Sequence, residues 1–580
     1  MFARVLVSMK NLDSRLYPAT IPSDRQMENS TMTNRWIGQV AAGRTVAYTK
    51  GGVVASTSPL AASTGIQVMK EGGNAFDAAV ATAAVEAVAL FPLCGVGGEA
   101  MVLMYEAKTN RIYGLSGSGR APGAATRDFY VQQGYKAMPL EGAQSVAIPG
   151  EIDAYETILG RFGTKTLAQL LEPAIGYAEE GYPVYRRTSG YYFQGLDKVN
   201  RYPDSARNFT KSGLPYMVGE VFVQKDLARS LRRIAQGGSE EFYRGDLARE
   251  MVQALQAAGG QYTLEDWAAH KSILYNDPIS TIYRGHTVYE ANPPSQGLLV
   301  LEILNIIEGF DVASLGLITA DRIHLMVEAA KLAYADRNKF IRADSPSDTL
   351  KRILSKEHAA SRASRIDFDR ASQEVEADLV ETAAGDENTS YFCVIDGQGN
   401  AVSFIHSLSN PFGSGFTAGN TGILFNNRLG RGFSLVEGHP NVMEPNKHTM
   451  HTINPYMVFK DDKPYFLGGT PGGDSQPHWN TQVISNIIDF GMDVQQAASV
   501  PRWFTFPGTD PSDLDKPFVL LVEKGIPDDV QQQLGNKGHN VQLYPEEIMA
   551  GATQLIMADQ ETGVRMGGSD PRDDGHAAVT

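Results

Sequence analysis

The stretch GDENTSYFCVIDGQGNAVSF, Gly385–Phe404, sets the problem. Its first four residues are polar, and Thr389-Ser390 lead directly into Tyr391–Ile395, a run with strand composition. Gly397, Gly399 and Asn400 then mark a turn before a second apolar run begins at Ala401. Two readings follow. Either a loop enters an ordinary hairpin, or the chain cuts itself and Thr389 becomes a new N-terminus.

The surrounding chain has 580 residues, enough for two or more folding units and a large buried core. Hydrophobic residues make up 42% and charged residues 20%, the balance of a globular protein. A formal net charge of -15 repels nucleic acid and anionic membranes, so neither is expected as a partner. Only Cys94 and Cys393 are present, in apolar runs far apart, which excludes a disulfide framework and a cysteine zinc site. The N-terminus lacks the long apolar core of a signal peptide, and a cytoplasmic location is expected. The longest apolar region, about Ala78–Val96, is interrupted by Glu86 and Pro92 and reads as a buried Ala-rich helix rather than a membrane span.

Residues 1–45 are polar and aperiodic, an expected tail. Gly51–Ala55 reads as a strand, and Ser58-Pro59 as a helix start. Residues 165–260 and 318–365 carry helical spacing, with Ile323, Val327, Ala330 and Tyr334 on one face. After Thr389 the pattern turns to strands: Tyr391–Ile395, Ala401–His406, Ile423–Asn426, Tyr456–Phe459 and Tyr465–Leu467. Helical spacing returns at Val483–Asp489 and Asp493–Ser499. Helices first and strands later predict an α/β (α+β) layered sandwich with mostly antiparallel sheets.

Phosphate-loop, zinc-protease and nucleophile-elbow motifs are absent, and the histidines show no metal-ligand spacing; no cofactor and no metal is expected. What remains is a set of turns rich in Gly, Ser and Thr: SGSGRAPG (116–123), NPPSQG (292–297), NPFGSGF (410–416), HTINPYMV (451–458) and GGTPGGDSQP (468–477). Around one cleft they would supply backbone N–H groups and hydroxyls able to hold an oxyanion.

These segments, with VVASTSPLAASTGIQVMKEGGNAFDAAVA, GVGGEA, AIPGEIDAY, RFGTKTLAQLLEPAIGYAEEGY, HLMVEAAKLAYADR and FGSGFTAGNTGILFNN, occur in an order that closely resembles the γ-glutamyltransferase (glutathione hydrolase) family of N-terminal-nucleophile hydrolases. The similarity runs from about Gly51 to Thr580. It implies an αββα sandwich and a precursor that cuts itself between Asn388 and Thr389, giving a large chain (46–388, after the tail) and a small chain (389–580). In such a site the freed α-amine takes the proton of the Thr389 hydroxyl, which attacks an acyl carbon. The resemblance makes Ser407 the partner of the nucleophile and Gly472-Gly473 the oxyanion pair. The expected partners are a small amide or glutathione-like substrate and the two chains of one precursor.

The substrate positions depart from the family pattern. Where typical members carry an arginine for the substrate's α-carboxylate, this chain has Ser118, with Arg120 two residues on. Ser409 replaces an asparagine, and His451-Thr452 replaces a Ser-Ser pair. Arg431 stands where typical members use an aspartate to hold the substrate ammonium. An arginine repels that ammonium and attracts carboxylate. Beside γ-glutamyl hydrolysis or transfer, the expectation therefore includes a specialised acylase acting on oxamate-like or glutaryl amides, or cleaving a carbon–carbon bond. A catalytically inactive binding protein is the alternative of another class; the intact Thr389, Ser407 and Gly472-Gly473 count against it.

Overall fold

The computed structural model describes residues 43–375, 389–506, 517–544 and 551–580. Most of the expected tail and the segment Gly385–Asn388 lie outside the described residues. The described chain is already anchored at Arg44, whose guanidinium donates to Ser569 Oγ at 3.0 Å.

Two seven-stranded sheets face each other. One runs in the order His576–Val579, Val53–Ser56, Ser390–Ile395, Ala401–Ser407, Glu99–Glu106, Arg111–Gly117, Ile273–Tyr275. The other runs Ala47–Thr49, Arg565–Ser569, Gln554–Ala558, Lys463–Gly469, Tyr456–Lys460, His286–Glu290, Ile279–Tyr283. Every neighbouring pair in both sheets is antiparallel. Side-chain alternation explains the layering. Tyr391, Cys393 and Ile395 pack between the sheets with Met101, Leu103, Ile405 and Leu467. Phe392 and Val394 point the other way, against the helices, with Val102, Val402 and Phe404. Central strands buried on both faces have no polar side to show, so they read as continuous apolar runs.

Helices close the sandwich on both outer faces. The Ala75–Ala89 helix is buried all round, as the alanine-rich run predicts. Its small side chains let it pack between the strands and the helices Pro59–Lys70 and Leu167–Glu180. Asn74 and Asp77 form its capping box, and Ser58 caps the preceding helix at Pro59. On the other face lie Leu298–Ile307, Ala320–Phe340 and Gln476–Ile488. The Ala320–Phe340 helix differs from its expected one-faced pattern. Nearly every residue from Ala320 to Arg337 is buried, because the 519–539 segment covers its outer side. Ile423–Asn426 also differs. It forms isolated bridges, Gly97 with Phe425 and Thr417 with Leu424, instead of a strand. Cys94 and Cys393 are both buried thiols. Among the described residues no helix is long and apolar enough to cross a membrane.

Candidate active site

Thr389 precedes the first ladder residue of its strand, Ser390, which pairs with His406. The neighbouring strand ends at Ser407, so the hairpin brings the two hydroxyls together: Thr389 Oγ lies 3.2 Å from Ser407 Oγ. Thr389 is 2% exposed and Ser407 0%. Ser407 Oγ also accepts the Ser409 amide at 2.8 Å. Ser409 reaches that position with φ +82°, a left-handed conformation unusual for serine.

The strand Lys463–Gly469 leads the glycine pair to the same end of the sandwich. Gly469 presses on the Tyr391 ring, where a Cβ would come within 2.5 Å. The turn that follows has φ +135° at Gly472 and +48° at Gly473. A Cβ on Gly472 would lie 2.2 Å from the Trp479 ring, so only glycine fits. Among the described residues neither glycine amide donates to another backbone group. The Gly473 carbonyl accepts Gln296 Nε2 at 2.9 Å, and the same amide group reaches the Thr452 carbonyl at 2.6 Å. Gln296 thus ties the NPPSQG loop to both the His451-Thr452 loop and the glycine turn.

Charges cluster beside this turn. Asp474 takes Arg337 at 2.7 Å on one oxygen and Arg431 at 3.4 Å on the other. The Arg431 side chain is 5% exposed and turned inward. Glu99, fully buried, accepts Arg428 Nε at 3.0 Å, His451 Nε2 at 2.7 Å and the Gly119 amide at 2.7 Å. Burial alone would raise the Glu99 carboxyl, but His451, Arg428 and the Gly119 amide outweigh it and hold it down at about 2. Burial and the Arg428 charge push His451 down to about 4. His451 is therefore a neutral imidazole, donating from Nε2 and accepting the Ile453 amide at Nδ1. Among the described residues, buried Arg428 Nη2 has no hydrogen-bond partner.

The structure brings Thr389, Ser407 and Ser409 together, and gathers Arg431 and Gly472-Gly473 around Asp474. His451 stands behind this group, holding Glu99, and Thr452 is joined to it through its carbonyl. Ser118 is buried in its own loop, next to the Gly119 amide that Glu99 accepts. Arg120 reaches instead toward the Asp266 carbonyl at 3.3 Å. Sequence reasoning missed Glu99, Arg428, Gln296 and Arg337, and noted Asp474 only as a neighbour of the glycine pair. A carboxylate in the glycine turn GVGGEA was the one available signal for Glu99.

Among the described residues, three sets of side chains bring metal-type donors within 4.8 Å of one another: Glu86/Cys94/His406, His324/Glu328/His539 and Glu302/Asp336/His358. Their histidines are engaged in protein hydrogen bonds: His406 between Glu86 and Glu151, His324 with His539, and His358 with Asp336 and Glu302.

The chain matches the gamma-glutamyltranspeptidase family over residues 61–580. It is 39% identical over 528 residues to a glutathione hydrolase-like YwrD proenzyme of Bacillus subtilis, spanning 90% of this chain and 98% of that one. It is 34% identical over 543 residues to a glutathione hydrolase proenzyme of Escherichia coli, spanning 90% of each. The crystal structure of a cephalosporin acylase from Bacillus halodurans superposes with a TM-score of 0.85 at 36% identity, covering 99% of both chains. The chain belongs to the gamma-glutamyltranspeptidase family and is an enzyme of that kind.

Proposed function

We propose that this family member cuts itself between Asn388 and Thr389, then uses Thr389 on amides whose acyl part carries a carboxylate and no α-amine. The observation that carries the chemistry is the Thr389–Ser407 contact at 3.2 Å, on the first residues of a strand hairpin. In self-cleavage the Thr389 hydroxyl attacks the Asn388 carbonyl carbon. The peptide C–N bond breaks as the ester forms, which frees the Thr389 amine, and water then hydrolyses the ester to give the Asn388 carboxylate and restore the Thr389 hydroxyl. In turnover that amine takes the hydroxyl proton as Oγ attacks the substrate's acyl carbon. The proton passes to the departing amine, and water or another amine then takes the acyl group. The Gly472 and Gly473 amides are the donors offered to the oxyanion.

Similarity does not choose the acyl group, since an acylase and a glutathione hydrolase match this chain about equally well. The arginines beside the glycine turn favour one that carries a carboxylate. Arg337 and Arg431 bond Asp474, and Arg428 bonds Glu99. An arginine repels an incoming ammonium and attracts a carboxylate, and Arg431 stands where the family pattern has an aspartate for that ammonium.

Two measurements test this. Unmodified protein should run as two fragments, the smaller beginning Thr-Ser-Tyr, and Thr389→Ala should remain whole; a variant still cut at that bond would sink the mechanism. For the acyl group, kcat/KM is compared for glutaryl and γ-glutamyl anilides. The native enzyme should favour glutaryl, and Arg431→Asp should move the ratio toward γ-glutamyl by about tenfold or more, one charge reversal being worth over 1.4 kcal/mol at a buried site. A native enzyme that strongly prefers the γ-glutamyl compound returns the chain to ordinary glutathione hydrolysis.

A further inference from the structure

Behind the hairpin lies a second buried polar set that the acyl chemistry does not use. Its centre is Glu86, on the Ala75–Ala89 helix and 0% exposed. One carboxylate oxygen accepts Ser56 Oγ at 2.5 Å and Thr57 Oγ at 3.2 Å. The other accepts Ser390 Oγ at 2.6 Å and His406 Nε2 at 2.8 Å. Four donors on two oxygens are the full complement a carboxylate can accept. The set continues from His406 Nδ1 to Glu151 Oε1 at 2.8 Å, which also accepts the Tyr155 hydroxyl at 2.8 Å. Thr57 Oγ lies 2.6 Å from Ser390 Oγ, and its one proton serves either that hydroxyl or Glu86, so Thr57 and Glu86 flank Ser390 from two sides. Cys94 is the remaining titratable group against His406.

Ser390 follows Thr389 and is the first residue of the ladder; Thr389 has no ladder partner of its own. Once the chain is cut, Thr389 is the end of a strand, and strand ends fray. The side chain that can prevent this is the next one along, and that hydroxyl is bonded to a carboxylate, the stronger kind of hydrogen bond. We infer that Glu86 is a positioning residue: acting through the Ser390 hydroxyl, it keeps the end of the small chain in place so that Thr389 Oγ stays at Ser407. This rests on the Thr389 reading above. The set spans four separate segments, 56–57, 86, 151–155 and 390–406, and so ties the end of the small chain to the large one.

The test removes only the Ser390 link. Ser390→Ala leaves Glu86 with Ser56, Thr57 and His406, so the fold should persist. Its self-cleavage and kcat should fall about 10- to 100-fold, the cost of a nucleophile displaced by about 1 Å, with KM unchanged and Tm lowered by no more than a few degrees. Ser390→Thr keeps the hydroxyl and should recover both rates to within about threefold. Glu86→Gln offers one acceptor oxygen where two are used, and should lose the same rates together with some Tm. Native kcat in Ser390→Ala overturns the inference, as does a Ser390→Thr chain as slow as Ser390→Ala. A kcat in Ser390→Ala that returns to the native value when assayed well below the variant's Tm also overturns it, since the hydroxyl would then serve the fold alone. Failure of the Thr389 reading shows elsewhere: the unmodified chain would give no fragment beginning Thr-Ser-Tyr.

Discussion

At the scale of single residues, the Ser407 hydroxyl accepts the Ser409 amide and lies 3.2 Å from Thr389 Oγ. That contact, in which either hydroxyl can donate, holds the nucleophile in place before substrate arrives. Ser407→Ala should leave the fold intact and lower kcat about 2- to 12-fold, the equivalent of one hydrogen bond of 0.5–1.5 kcal/mol. Steady-state kinetics on the cleaved protein check this, and unchanged kcat would remove Ser407 from the site. Arg428 presents the complementary case. Its Nε is held by Glu99 while buried Nη2 has no partner among the described residues, a condition costing about 1–3 kcal/mol that an anionic ligand would relieve. Arg428→Gln should therefore raise KM for a glutaryl anilide more than for an uncharged acyl anilide of the same length. Equal effects on both would place Nη2 away from the acyl carboxylate.

At the scale of elements, the glycine turn depends on the helix that follows it. Trp479, one turn into Gln476–Ile488, fills the space beside Gly472. Gly472→Ala forces both a clash and a positive φ on a residue with a side chain, so the turn must move and its amides with it. Loss of about 100-fold or more in kcat/KM is expected, the usual effect of losing an oxyanion donor, and a variant of native activity would dissociate the turn from catalysis. Elements such as this turn and the Thr389 hairpin were legible in sequence because their residues are contiguous. The strand runs Tyr391–Ile395 and Ala401–His406 were legible for the same reason. Ile423–Asn426 was not. It looks like a strand by composition, but its backbone bonds go to Phe416, Ser414 and Gly97, separate loops that no local pattern reveals. Glu86 showed only as a charge interrupting an apolar run. Its partners come from positions 56, 57, 390 and 406, and pairing at that range is a product of the sheet order, which the sequence pattern does not contain. The same holds for Glu99, joined to residues 119, 428 and 451.

At the scale of the whole molecule, its histidines set the pH range of stability. Burial is the leading cause that lowers eight of them: His286, His324 and His448 are pushed below their ordinary value, His270, His439 and His451 down to about 4, and His478 and His539 down to about 3. An unfolded chain protonates these side chains near pH 6.5. Between about 6.5 and 4 the unfolded state therefore binds protons that the folded state refuses, and stability falls as pH falls. His358 acts in the opposite sense. Asp336 first, and then Glu302, raise it to about 9, through contacts of 2.8 Å and 3.3 Å. Its contribution is complete below about 6.5 and is lost as pH rises through about 9. Eight groups weaken the fold toward acid and two, His358 and His406, weaken it toward base, so Tm should peak near neutrality and fall more steeply on the acid side. Melting the uncut Thr389→Ala chain from about pH 4.5 to 9.5 keeps self-cleavage out of the measurement. His478→Gln should flatten part of the acid limb, because that imidazole, stacked on Tyr334 at 5.0 Å, cannot accept a proton without charging a buried site. His358→Gln should flatten the alkaline limb and leave the acid one unchanged. A Tm constant between pH 7 and 5 would show that the buried imidazoles gain protons as readily when folded as when unfolded, and that the acid sensitivity must come from the carboxylates instead.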